Sequence, residues 1–285
     1  MTGELTFVRA FDPAPITTLL CDADDNLFGS ERPAFEASAE VMNRFLARFG
    51  VDAGLSSEEL RKRAVGKNFR AMALDMAVRC AVPLDRALGH GLPGAVVASA
   101  ADLAGGAGLS ADELERWVLE ERERVTAHLS ATLTPDPEVV GPLRDLAKRY
   151  TLAAVSSSAT DRLRACFAAT GLESLIPLAA TFSAEDSLAV PTSKPDPAVY
   201  LHCGREMGVQ ARQGLAVEDS VAGVTSAVAA GYATIGNLMF VLPDERDCRR
   251  AELIDAGAVA ITDSWRALAG VLLSPAGPAL SGRLM

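Results

Sequence analysis

The chain has 285 residues, 49% of them apolar, and a formal net charge of −10. That length holds one large domain or two unequal ones with a core that needs no covalent staples. The net acidity argues against nucleic acid and against anionic membrane surfaces as partners, but leaves an anionic small molecule open, because a local cation can reverse the field inside a pocket.

The five cysteines, Cys21, Cys80, Cys166, Cys203 and Cys248, are scattered and form no Cys-x-x-Cys pair. This suits a reducing cytoplasm and argues against a zinc cluster or a disulfide framework. Residues 1–15 lack a basic segment followed by a long apolar stretch, so no signal peptide is expected. No apolar run is long enough to span a bilayer.

In chain order, residues 1–15 read as a short extension and residues 16–21 as a buried strand ending in Asp22-Ala23-Asp24-Asp25. From Arg32, apolar residues Phe35, Val41, Met42, Phe45, Leu46 and Phe49 recur at helical spacing up to Gly50. Ser56-Ser57-Glu58-Glu59 is a helix start. Further helices are expected near 68–80, 84–89, 94–104 and 110–131, so that 30–132 is an all-helical block. After Thr134-Pro135-Asp136-Pro137 the texture changes. Helices at 138–148, 160–170, 197–207, 221–230, 244–256 and 264–272 alternate with strands at 150–155, 178–182, 214–217, 233–237 and 258–261. Such alternation implies an α/β fold, a parallel Rossmann-like sheet with helices on both faces. The core would span 1–29 and 133–285, interrupted directly after its first strand by the helical block at 30–132.

In an open α/β sheet, ligands bind outside the carboxyl ends of the strands. Polar residues gather there. The first strand ends in Asp22 and Asp24, strand 150–155 in Ser156-Ser157-Ser158, and strand 214–217 in Glu218-Asp219-Ser220; Ser193-Lys194-Pro195-Asp196 follows strand 178–182. Taken alone, the aspartates read equally as a turn with helix caps. Taken together, the carboxylates of Asp22, Glu218 and Asp219 suit a hard divalent cation such as Mg²⁺. A lysine and a hydroxyl suit the remaining oxygens of a phosphoryl group. A carboxylate beside the cation could attack phosphorus, and Asp24 could protonate the leaving oxygen and then deprotonate water.

These stretches resemble the haloacid dehalogenase (HAD) superfamily, phosphatase type. Asp22-Ala23-Asp24-Asp25-Asn26-Leu27 is similar to that family's Asp-x-Asp-Gly-Thr/Val-Leu, with Asp25 and Asn26 replacing Gly and Thr/Val. Ser156 after Ala154-Val155, Lys194-Pro195-Asp196-Pro197, and Glu218-Asp219-Ser220-Val221-Ala222-Gly223 with Ala230-Gly231 match its other three motifs in order. The resemblance implies an HAD-like fold whose helical insertion is a C1 cap, a lid over the substrate. It implies Asp22 as nucleophile and metal ligand, and Asp24 as acid/base with its carbonyl on Mg²⁺. Ser156, Ser157 and Lys194 would bind the phosphoryl group, and Glu218 and Asp219 would bind the metal. The activity implied is Mg²⁺-dependent hydrolysis of a small phosphorylated metabolite through an aspartyl-phosphate, by a cytoplasmic monomer or small homo-oligomer.

In related capped enzymes a polar loop faces the site near Gly66-Lys67-Asn68-Phe69-Arg70, which makes Lys67, Asn68 and Arg70 candidates for substrate contact, although they read equally as solvent-facing helix residues. Asp24 argues against a haloacid dehalogenase or a phosphonoacetaldehyde hydrolase. The absence of histidine in residues 30–36 lowers a β-phosphoglucomutase-like mutase. Pyrophosphatase activity remains open. A catalytically silent binding protein is the alternative suggested by Asp25-Asn26.

Overall fold

Strand β2 (Thr18–Cys21) has all four side chains buried, as a strand covered on both faces must. It pairs in parallel with β3 (Thr151–Ser156) and β5 (Gly214–Glu218), and Cys21 stands between Ala154 and Val217. Strands β4 (Thr181–Ser183), β6 (Ala233–Asn237) and β7 (Ala260–Thr262) extend the parallel sheet, and β1 (Leu5–Phe7) adds an antiparallel edge on β7. The order is β1-β7-β6-β5-β2-β3-β4. The computed structural model describes residues 3–64 and 67–274.

The chain divides into two compact units, Met1–Ser30 with Leu133–Met285 and Glu31–Thr132. The second consists of α1 (Glu31–Ala47), α2 (Ser57–Arg63), α3 (Phe69–Arg79), α4 (Arg86–Gly89), α5 (Ala100–Ala104) and α6 (Ala111–Thr132). Its core is the apolar stripe expected of α1, Val41, Met42, Phe45 and Leu46, packed with Leu60, Phe69, Met72, Met76 and Leu114. Ser56 closes a reciprocal capping box with Glu59 at the start of α2.

The sheet unit carries α7 (Pro137–Leu146), α8 (Thr160–Thr170), α9 (Ala198–Met207), α10 (Val221–Ala229), α11 (Arg246–Asp255) and α12 (Trp265–Leu272). One sheet face buries Leu20, Ala153, Val155 and Ala216 under Val199, Tyr200 and Cys203 of α9 and Ala227 of α10. Gly171 and Gly208 stop α8 and α9 at φ 72° and 65°, the left-handed conformation that glycine adopts freely.

Four expectations change, the first being the strand expected over 178–182, where Leu178–Ala180 forms a 3-10 turn and only Thr181–Ser183 is strand. Residues 1–15 are more than an extension, since Leu5–Phe7 forms the edge strand and Arg9 donates to the Ala258 and Ile254 carbonyls. Its partner lies some 250 residues away, beyond any local pattern. The helix expected over 94–104 shrinks to Ala100–Ala104, because Gly94 takes φ 81° and the following chain is drawn into bridges from Leu84 to Val97 and Leu109. Ser30 belongs with the sheet unit rather than the helical block: its backbone N–H and hydroxyl donate to Asp25 and Asp24.

Trp265 at the start of α12 is wholly buried and donates its indole N–H to the Asn26 carbonyl at 2.8 Å. Replacing it by phenylalanine strands that acceptor. Trp265→Phe should therefore lower unfolding free energy by about 1–3 kcal/mol, read as a lower urea midpoint at unchanged m-value.

Candidate active site

Parallel pairing in register brings the ends of β2, β3 and β5 to one sheet edge. Asp22 leaves β2 there, its backbone N–H bonded to the Val217 carbonyl at 3.0 Å. Oxygens of Asp22, Glu218 and Asp219 all lie within 4.8 Å of one another. Lys194 Nζ inserts among them, 2.5 Å from Asp22 Oδ1 and 2.6 Å from Glu218 Oε1, with a third bond to the Val155 carbonyl at 2.7 Å. Its side chain is 5% exposed and that of Glu218 is fully buried.

With all three carboxylates ionised, one ammonium would leave two negative charges uncompensated. Burial is the main force lifting Asp22 up to about 8, opposed by Lys194 and reinforced by Glu218 and Asp24. Burial likewise holds the Asp219 carboxyl well above its ordinary range, with Asp22, Glu218 and Asp25 adding to it. For Lys194, burial works against the charge, but Asp22 and Glu218 outweigh it and raise the ammonium. The deficit is the charge of one divalent cation. Glu218 Oε2 is also buried without a hydrogen-bond partner. The donor set is all carboxylate oxygen, which fits Mg²⁺.

Glu218 has a second task. Its Oε1 also accepts the Tyr200 hydroxyl at 2.5 Å, and the Lys194 ammonium lies 5.4 Å from the centre of the Tyr200 ring. A Cβ at position 223 would fall 1.7 Å from Glu218 Oε2, so glycine is required where α10 passes this carboxylate.

The Asp25-Asn26 departure is structural. Asp25 adopts φ 52°, the conformation glycine usually supplies, which aspartate tolerates better than most residues. Asn26 is fully buried. Its amide donates to the carbonyls of Asp22 (2.8 Å) and Val217 (3.1 Å), and its Oδ1 accepts from Asn237 Nδ2 at 2.7 Å. Asn237 Oδ1 takes the Met239 N–H. This satisfied network ties the backbone beside Asp22 to β5 and β6.

Asp24 is held differently. Its Oδ1 accepts from Ser30 Oγ (2.6 Å) and Arg162 Nη2 (2.8 Å), and its Oδ2 from Ser158 Oγ (2.7 Å). Burial would raise its pKa, but Arg162, Ser30 and Ser158 bring it below the ordinary carboxylate range. Ser156 is buried, and its hydroxyl accepts the Ser158 N–H at 3.0 Å. The Ser157 hydroxyl accepts the Lys194 N–H at 3.1 Å and fastens the lysine loop. Ser158 does not cap α8 as its position suggests; Ala159 holds that place and Asp186 takes the Thr160 N–H.

The three candidates in the helical unit are occupied within it. Asn68 caps α3 through Ala71, Lys67 pairs with Asp75 at 3.5 Å, and Arg70 pairs with Glu115. Gly66 lies outside the described residues. Ser30, Arg162, Tyr200 and Asn237 are site-supporting residues that sequence reasoning missed. Only Arg162 left a signal, as a cation in a helix's first turn, where the macrodipole disfavours it.

The haloacid dehalogenase-like hydrolase family model matches residues 16–231. A search of curated proteins finds no match. Among solved structures, a HAD family hydrolase from Deinococcus radiodurans with bound phosphate and sodium is 25% identical, with TM-score 0.60, over 92% of this chain and 100% of that one. A predicted phosphoglycolate phosphatase from Haemophilus somnus is 18% identical, with TM-score 0.62, over 89% and 96%. A CbbY variant from Rhodobacter sphaeroides in complex with xylulose-(1,5)bisphosphate is 20% identical, with TM-score 0.58, over 88% and 95%. The chain belongs to the haloacid dehalogenase-like hydrolases.

A raised carboxyl favours the fold while it stays protonated. Its contribution is complete below the unfolded value, about 4, and is lost as pH rises through the folded value. For Asp22 that upper limit is about 8. Metal-free protein should therefore melt at progressively lower temperature between these limits. Added Mg²⁺ should raise the melting temperature more at pH 8.5 than at pH 6. Thermal melts in chelator and in Mg²⁺ at both pH values check this; an equal gain at both would refute it.

Proposed function

We propose that this haloacid dehalogenase-like hydrolase is a Mg²⁺-dependent phosphatase that hydrolyses a small phosphorylated metabolite, of the sugar phosphate class, through an aspartyl-phosphate. One observation carries the reading: three carboxylates within 4.8 Å of one another, with Lys194 bonded to Asp22, at the end of a buried parallel sheet.

Asp22, Glu218 and Asp219, with the carbonyl of Asp24, would hold the cation. When bound, it would neutralise the charge of these carboxylates and of the phosphoryl oxygens. Asp22 supplies the nucleophilic oxygen; the Asn26 amide on its carbonyl and Lys194 on its carboxylate fix its direction. Lys194 and the Ser156–Ser157 turn offer donors to the phosphoryl oxygens. Asp24, held as a carboxylate in the free site, would first take up a proton from solvent as substrate binds, and as the bond from Asp22 to phosphorus forms and the ester bond breaks it would give that proton to the leaving oxygen. Asp24, now a carboxylate, takes a proton from water as the water oxygen attacks phosphorus and releases Asp22. The helical unit would act as the cap, supplying contacts to the rest of the substrate and excluding water. The unpaired cysteines suit a cytoplasmic setting. Among the described residues no helix is long and apolar enough to cross a membrane.

The test is release of inorganic phosphate from p-nitrophenyl phosphate and a panel of phosphometabolites, with and without Mg²⁺. Wild type should turn over only with the metal, and Asp22→Asn should lower kcat by roughly 1,000-fold or more. Turnover that ignores Mg²⁺, or Asp22→Asn at the wild-type rate, would contradict the reading.

A further inference from the structure

We propose that Arg162 is the positioning residue for proton transfer, aligning Asp24 with the leaving oxygen of the substrate; this rests on the phosphatase reading above. Arg162 is the third residue of α8, a first-turn position where a cation opposes the helix macrodipole. Its guanidinium turns instead to Asp24 Oδ1 at 2.8 Å, and both side chains are 26% exposed. The same carboxylate is held by Ser30 from the turn after β2 and by Ser158 from the turn after β3. Three elements thus converge on one side chain and leave both oxygens with defined partners.

The partners are not equivalent. A serine hydroxyl rotates and either donates or accepts, so Ser30 and Ser158 can follow the proton on or off Asp24. Arg162 donates only, in a fixed planar fork, and so it sets the direction of the carboxyl plane. The Lys194 ammonium instead serves Asp22, Glu218 and the Val155 carbonyl. Two aspartates two residues apart are therefore aimed by different cations. Ester cleavage needs Asp24 at the leaving oxygen when that oxygen is a poor leaving group, and needs it little when the group departs as a stable anion.

The experiment compares kcat/KM for a series of monoesters, from alkyl phosphates to p-nitrophenyl phosphate, in wild type, Arg162→Gln, Arg162→Lys and Asp24→Asn, at saturating Mg²⁺ with folding checked by circular dichroism. Arg162→Gln should lose about 10- to 100-fold on alkyl phosphates and less than about threefold on p-nitrophenyl phosphate, with Arg162→Lys recovering part of the loss. Asp24→Asn should show the same leaving-group dependence, more strongly. An equal loss on all esters would mark Arg162 as merely structural, and no loss would mark it as idle; both overturn the inference while Asp24→Asn keeps the acid/base assignment standing. A wild type without phosphatase activity, or Asp24→Asn without leaving-group dependence, removes the underlying reading and this inference with it.

Discussion

Three carboxylates and one ammonium meet at the end of a sheet buried on both faces, and the imbalance between them governs the site. In water such a group would disperse or exchange protons with solvent. Here Asp22, Glu218 and Asp219 are fixed by strand register, and Lys194 is tied from three directions, so the charge can neither spread nor be hydrated freely. Raised carboxyl groups and a raised lysine are two consequences of that one constraint. A hard cation held there would relieve it, and its binding would then be linked to stability.

Much of the surrounding sequence serves to hold this arrangement. Gly223 makes room for the Glu218 carboxylate, Tyr200 bonds its oxygen, and Ser157 fastens the backbone of the lysine loop. On the other side, Asn26 converts a family departure into a bracket. Its side-chain amide donates to the carbonyls of Asp22 and Val217 and accepts from Asn237, while its main-chain carbonyl accepts the Trp265 indole N–H. Each polar atom of that buried amide has a partner, so the network adds rigidity instead of a desolvation cost.

The two aspartates of the first motif show how environment separates two identical side chains. Asp22 lies among carboxylates with a single ammonium and is pushed up; Asp24 lies among donors and is brought down. Their separation in sequence is two residues, yet the elements that hold them differ: the lysine loop and β5 for Asp22, and Ser30, Ser158 and α8 for Asp24. Divergent environments of this kind give two identical side chains, two residues apart, opposite tendencies to hold a proton.

The sequence by itself determined the alternation of helices and strands and placed polar motifs at the strand ends. Buried parallel strands must be apolar throughout, and glycines such as Gly171 and Gly208 must stand where helices stop. For the same reason Asp22, Lys194, Glu218 and Asp219 could be grouped before any coordinates, since parallel strands deliver their ends to one edge. Edge strand β1, the Asn26–Asn237 bracket and the Arg162–Asp24 pair were decided only by tertiary structure. Their partners lie more than about a hundred residues away, and no local periodicity reports a contact between such distant residues. The helical unit shows the converse limit. Lys67 and Arg70 looked available as isolated cations, and packing brought Asp75 and Glu115 to them. Composition shows which charges a chain carries; only the fold decides which of them are already neutralised by a neighbour.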